Sequence, residues 1–324
     1  MRIGFHASHE QFTPSELLEY VQAATGAGFT AAMCSDHFHP WTPRQGQSGF
    51  SWAWLGAALQ ATDVPFGVVC AVGQRYHPAI IAQATATLLQ MYPGRFWIAA
   101  GSGQLLNEGI TGEVWPAKED RNERLRESVD VMRKLWDGDT VTHQGRVRVS
   151  QATLYTRANE RPRVIAPALT PKTAEWAAAW ADGLITISKS REEMSEIISA
   201  WKRGGGEGKP MYLQAKISYA ATDDDALDGA FDQWRGSIFS SSVQTSLRTP
   251  DEFEAAAEFV KPNDMYDFVR ISARIDDHIA WLHEDLEMGF EEIYLHNVNR
   301  DQQTFIKDFG AHVLTALADG GGNP

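Results

Sequence analysis

The chain has 324 residues, 43% of them hydrophobic, enough to bury a substantial core in one large domain. Its formal net charge of −13 repels a nucleic-acid backbone or an anionic membrane, so small-molecule chemistry is favoured over both. With no signal-like start, no apolar run long enough for a bilayer and only two cysteines, Cys34 and Cys70, a reducing cytoplasm is expected, with both thiols buried rather than joined in a regulatory disulfide.

Short β-branched or apolar runs alternate with segments of helical period, the pattern of parallel strands joined by crossover helices. Strand 2–6 leads to helix 14–27, where Thr13 caps the amino end, Pro14 suits the first turn and Gly28 ends it. Strand 30–34 is followed by a Pro-, Gly- and Trp-rich loop of a length that is usually functional, and then by helix 51–62. Strand 65–70 with helix 78–91, and strand 96–100 with helix 121–136, continue the rhythm. A hairpin-like insertion over 140–149 precedes strand 163–166 and helix 171–181. Strand 183–187 leads to helix 191–203, stopped by Gly204, Gly205 and Gly206. Strand 211–218 is followed by a long helical region, 223–260, broken by the Ser-rich stretch 237–246, which reads as a loop or a lid. Helix 276–288, strand 291–296, helix 302–318 and a Gly-rich tail expected to fray complete the chain.

Eight strand–helix units predict an α/β fold, a closed (β/α)8 TIM barrel, as one domain over 1–324 with insertions after strands four and seven. In that fold chemistry sits where each strand ends. Those ends carry Ser8-His9-Glu10, Ser35-Asp36-His37-Phe38-His39-Pro40-Trp41, Cys70-Ala71, Gly101-Ser102-Gly103-Gln104, Pro167-Ala168-Leu169-Thr170, Ser188, Lys216 and His296-Asn297.

His37 stands beside Asp36, a carboxylate able to orient an imidazole that titrates near neutrality, as proton transfer requires; otherwise it bonds a cofactor or caps the loop. His37 and His39, joined by His6, His9 and Glu10, also suggest a zinc or iron hydrolase, but the fifth and sixth strands end without His, Asp or Glu, so no metal is expected. Gly101-Ser102-Gly103 lacks the third glycine of the dinucleotide fingerprint. Gln104 either donates a hydrogen bond to a cofactor or substrate oxygen or is a plain loop residue. Thr170 either faces a phosphate at a helix start or caps that helix. Trp41, Trp52 and Trp54 read as pocket walls or as core, and Asp223, Asp224 and Asp225 as a solvated helix start.

The Asp36-to-Trp41 stretch, with Arg75-Tyr76-His77-Pro78, Gly101 to Glu108 and Arg124-Leu125-Arg126-Glu127-Ser128, resembles the bacterial luciferase-like superfamily, nearest to the subgroup around the deazaflavin-dependent glucose-6-phosphate dehydrogenase. The resemblance runs from Arg2 to about Leu317 in unchanged order. It implies the same barrel, a three-ring cofactor lying across the strand ends, and a homodimer. It implies that Asp36 holds the cofactor, His37 acts as base on the substrate and Trp41 lines the reacting centre. Gly101, Ser102, Gly103 and Asn107 would flank the rings, and Cys70-Ala71 matches the place of a non-prolyl cis peptide.

The departures from that pattern are as informative. The subgroup's carboxylic acid is Gln104 here, an amide that cannot transfer a proton. Its phosphate-receiving glycines are Ala168 and Leu169, with Thr170 next in line, which favours reduced FMN over coenzyme F420, an 8-hydroxy-5-deazaflavin. Its sugar-phosphate lysine is Ala255, with Arg270 or Arg274 near its arginine, so a sugar phosphate is not expected. The expected reaction is monooxygenation of a small organic substrate by reduced FMN, served by a flavin reductase; hydride transfer by the deazaflavin is the alternative, and a non-catalytic sensor a third.

Overall fold

The computed structural model describes residues 1–320; the tail expected to fray, 321–324, lies outside the described residues. Among the described residues eleven strands are formed: β1 (Arg2–Ala7), β2 (Ala31–Ser35), β3 (Phe66–Ala71), β4 (Phe96–Gly101), β5 (Val141–Gln144), β6 (Arg148–Ala152), β7 (Arg163–Pro167), β8 (Gly183–Ile187), β9 (Met211–Ser218), β10 (Arg270–Ile271) and β11 (Glu292–Asn297). Eight of them pair in parallel in the order β11-β1-β2-β3-β4-β7-β8-β9, and β9 pairs again with β11, which closes the (β/α)8 barrel. The antiparallel β5–β6 hairpin is the insertion expected before the fifth barrel strand.

Helices cover the barrel because each carries an apolar face. Thr13 caps the Pro14–Gly26 helix in a reciprocal capping box with Glu16, and Leu17, Val21 and Ala24 turn inward. Phe5 of β1 packs against Phe29 and Phe305, joining strand to helix layer. Burying each such side chain contributes roughly 1.5–3 kcal/mol. Inside the barrel, Met33, Trp97, Ile165, Ile185, Tyr212 and Tyr294 form a separate core. Trp97 fits only because residue 67 is glycine: a Cβ there would stand 1.9 Å from its ring. Trp97 donates its indole N–H to the Tyr294 hydroxyl at 3.2 Å, so the barrel's lower half is packed solid.

Several boundaries differ from expectation. The helix after β4 starts earlier, at Lys118, and a short helix, Leu105–Glu108, precedes it. Lys202–Gly206 widens into a π turn before the chain leaves through Gly205 at φ +98°, the expected glycine stop. The expected long helical region divides into Asp223–Trp234, Ser241–Gln244 and Pro250–Ala256, followed by the two-residue strand β10, which pairs with Ile217 and Ser218 beyond the reach of β8. The last helix is interrupted at Phe309–Val313. No helix among the described residues is long and apolar enough to cross a membrane.

Candidate active site at the carboxyl ends of the barrel

Loops leaving the strand ends surround a cavity of about 1490 Å³. His37, Trp41, Gln104, Asp36, Cys70, Ala71, Gly101, Ser102, Gly103, Asn107, Leu169 and Thr170 all line it. Ala168 does not. It is fully buried, its amide bonded to Ile185 in continuation of the sheet, so its side chain belongs to the core. Thr170 reaches the rim while also capping the Pro171–Ala178 helix by accepting from the Thr173 amide.

His37 has a carboxylate partner, and it is Glu10 rather than Asp36. Its Nδ1 stands 2.6 Å from Glu10 Oε1, a close contact with the carboxylate set off the line of a straight hydrogen bond. Ser8 donates its hydroxyl to the other Glu10 oxygen at 3.0 Å. Burial works against the Glu10 charge, but His37, by charge and contact, holds its carboxyl well below the usual range. With Nδ1 so engaged, Nε2 is the ring atom left for proton exchange. The Trp41 ring stands edge to face with His37 at 5.3 Å and with Phe253 at 5.4 Å.

Asp36 serves a different network. It is buried, takes the Ser51 hydroxyl at 2.6 Å and binds Arg75 Nη2 at 2.9 Å. Arg75 also reaches the Asp36 carbonyl at 2.7 Å and Glu108 Oε1 at 3.3 Å, and its amide donates to Glu108 Oε2 at 2.8 Å. One guanidinium therefore fastens the ends of β2, β3 and β4 together. Burial alone would lower the Arg75 pKa, yet the two carboxylates raise it; burial raises Glu108 despite Arg75, so the ion pair offsets only part of the desolvation. Asn107 accepts from the Phe38 and His39 amides at 2.8 and 3.1 Å, which fixes the two peptides that follow His37 and leaves its own buried Nδ2 unpartnered among the described residues.

Other residues singled out in the sequence fall elsewhere. His39 bonds the Leu106 carbonyl at 2.8 Å, His9 packs edge-on to Trp54, and among the described residues no three His, Cys, Asp or Glu side chains are grouped to hold a metal. Trp54 and Trp52 pack against Phe66 and Phe96, on the core side. Thr222 caps the helix that begins with Asp223, Asp224 and Asp225. Cys34 and Cys70 are both free and buried. The Cys70–Ala71 peptide is trans, because both residues extend the ladder with Ala100 and Gly101 of β4. Gln104 begins the short helix without capping it through its side chain, and faces the cavity.

The sequence reading missed the floor of the cavity as a unit. The His6 and His296 rings meet at 4.2 Å, tilted by 37°, Trp234 meets His296 edge-on at 4.8 Å, and Gln11 and Gln214 bond the two nitrogens of His296. The only sequence signal for His6 and His296 was position near strand ends, and Trp234, the last residue of the Asp223–Trp234 helix, carried none. Burial lowers His6, His9 and, away from the cavity, His278 to about 4, and also holds His296 well below the usual imidazole range. These groups are neutral when folded and bind protons near pH 6.5 when unfolded, so their contribution to stability is complete above that pH and is lost as pH falls towards 4. The slope is up to roughly 1.4 kcal/mol per histidine per pH unit. Urea midpoints measured at pH 7, 6 and 5 are expected to fall steadily; a level midpoint would refute buried neutral imidazoles.

A family model described as luciferase-like monooxygenase matches residues 1–292. The F420-dependent glucose-6-phosphate dehydrogenase of Nakamurella multipartita is 33% identical over 98% of this chain and 96% of its own length, and that of Mycolicibacterium smegmatis is 33% identical over 95% and 96%. Among solved structures, an F420-dependent secondary alcohol dehydrogenase in complex with an F420-acetone adduct superposes with a TM-score of 0.88 at 31% identity, covering 96% of this chain and 97% of that one. The coenzyme F420 dependent tetrahydromethanopterin reductase from Methanopyrus kandleri, at 17% identity and a TM-score of 0.79, shares the fold.

Proposed function

Because the chain belongs to the luciferase-like monooxygenase family, we propose that it is a deazaflavin-dependent oxidoreductase, moving hydride between coenzyme F420 and the carbinol carbon of a small alcohol. The observation that carries this reading is the Glu10–His37 pair facing an open cavity beside Trp41. The F420 named for its relatives supports the cofactor. Reduced FMN and monooxygenation, favoured by the sequence reading, give way to the alternative. The objection drawn from Ala168 also weakens, since that side chain is buried away from the cavity and a helix start still follows at Thr170. Hydride transfer has no part for a flavin reductase.

The residues fit a three-ring group. The cavity exceeds the usual volume of a cofactor site, its β3–β4 wall is the strand-end backbone of Cys70, Ala71 and Gly101 to Gly103, and Asn107 keeps an unpartnered amide N–H at its edge. When bound there, the deazaflavin supplies an acceptor for two electrons and a proton's worth of hydrogen as hydride. His37 Nε2 takes the hydroxyl proton as the carbonyl forms, and the ionised Glu10 stabilises the resulting imidazolium. Trp41 and Trp234 exclude water from the carbinol. Gln104 donates a hydrogen bond and holds no proton to give, so His37 is the one proton-handling group in this reading.

A sugar phosphate is not favoured. Ala255 is exposed, Arg270 is bound by both nitrogens to Asp285, Arg274 is exposed beside Asp277, and none of the three lines the cavity. The test is titration of the purified protein with coenzyme F420 and with FMN, followed by tryptophan fluorescence. F420 is expected to bind at least about tenfold more tightly, a difference of about 1.4 kcal/mol; equal or tighter FMN binding returns the monooxygenase reading to first place.

A further inference from the structure

Lys216 lies on β9 with its side chain facing the cavity, and the position of β9 gives it meaning. In a closed ring of eight strands β9 is half-way round from β3, so Lys216 faces the Cys70–Gly103 wall across the cavity. The row Trp234, His296, His6 and Glu10 leads from Lys216 back to His37. Lys216 therefore stands on the side left to the substrate when a cofactor lies against β3 and β4.

Its charge is unmet. Of the other cations lining the cavity, Lys118 bonds the Ser102 hydroxyl, Arg121 the Pro116 carbonyl, Lys189 pairs with Glu193, Arg126 with Asp130, and Lys172 is exposed to water, whereas Lys216 is half-buried and no carboxylate among the described residues lies within ion-pairing distance of it. Burial, with Lys189 nearby, lowers its pKa to about 8. The ammonium stands 5.3 Å from the centre of the Trp234 ring, a contact that attracts a cation without neutralising it. Ser188, at the end of β8, accepts the Lys216 amide at 3.0 Å and lines the same cavity, so its own hydroxyl proton remains to be donated. A half-buried cation without a partner still costs free energy unless an anion completes it.

Resting on the hydride-transfer reading, we infer that Lys216 and Ser188 receive a carboxylate and that the substrate is a small hydroxy acid, oxidised at its carbinol carbon to the keto acid. The carbinol C–H bond breaks with its electron pair leaving as hydride to the deazaflavin. The O–H proton passes to His37, the C=O bond forms, and the carboxylate is unchanged. Lys216 acts here as a specificity-determining residue: it holds the end of the molecule that does not react.

The test uses lactate, 3-hydroxybutyrate and 4-hydroxypentanoate, each beside its methyl ester. Binding to the cofactor-free protein is followed by calorimetry, and turnover by loss of F420 absorbance. In the wild type, at least one acid is expected to bind 10- to 100-fold more tightly than its ester, the range for a charge-assisted contact. Lys216→Met is expected to abolish that preference and to raise KM by the same factor with kcat within threefold, and Lys216→Arg to retain most of it. Equal binding of acid and ester throughout the series overturns the inference without recourse to any variant, as does a Lys216→Met protein that keeps the preference. Lysine-dependent binding without F420 turnover upholds the anion site and sinks the proposed reaction instead.

Discussion

Replacing His37 with Ala is expected to lower kcat for alcohol oxidation by about 10²- to 10⁴-fold, the range for loss of a positioned proton acceptor. The cause is local. His37 is the imidazole that both faces the cavity and contacts a carboxylate, Glu10, held in turn by Ser8. His6 and His296, also on the cavity wall, are kept neutral by burial and cannot take over near pH 7. The Kd for F420 is expected to stay within about threefold, because the rings would lie against β3 and β4. Stopped-flow measurement of F420 reduction, with cofactor binding measured separately, checks both. Turnover within tenfold of wild type would remove His37 from the proton step.

Arg75→Met is expected to cost about 3–5 kcal/mol of stability, the penalty for leaving buried charges uncompensated. The guanidinium holds two carboxylates at once, Asp36 and Glu108, and both are buried. Without it Glu108, which burial already raises and only Arg75 holds down, would be pushed up further and take up a proton rather than remain ionised. The folded state would then bind more protons than the unfolded, and the variant's deficit would shrink as pH falls and widen as it rises. Urea unfolding of both proteins at pH 6 and pH 8 provides the measurement. A deficit under 1 kcal/mol, or one that does not depend on pH, would show that Arg75 carries no such burden.

The barrel was legible in the sequence because parallel strands buried on both faces read as short apolar runs, and because Pro and Gly mark the helix ends. What was lost was lost for definite reasons. The β10 strand has two residues, too few to show a period, and its pairing depends on the extra length of β9 beyond β8. The partner of His37 was misread because adjacency in sequence was taken for adjacency in space. Successive side chains of an extended segment point to opposite sides. Asp36 accordingly turns towards Ser51 and Arg75, while His37 turns across to the β1 loop and Glu10. Such a pairing joins residues 27 apart, and no local spacing encodes it. Ala168 was expected at the cofactor because it aligns with a glycine, yet its amide still belongs to the sheet.

The Trp97, Tyr212 and Tyr294 rings that fill the lower barrel make the site a blind well. Water, protons and both reactants share a single doorway, so whatever seats deeper must arrive first and depart last. Steady-state kinetics should therefore show a compulsory sequence of arrivals, imposed by three aromatic side chains that never touch the chemistry.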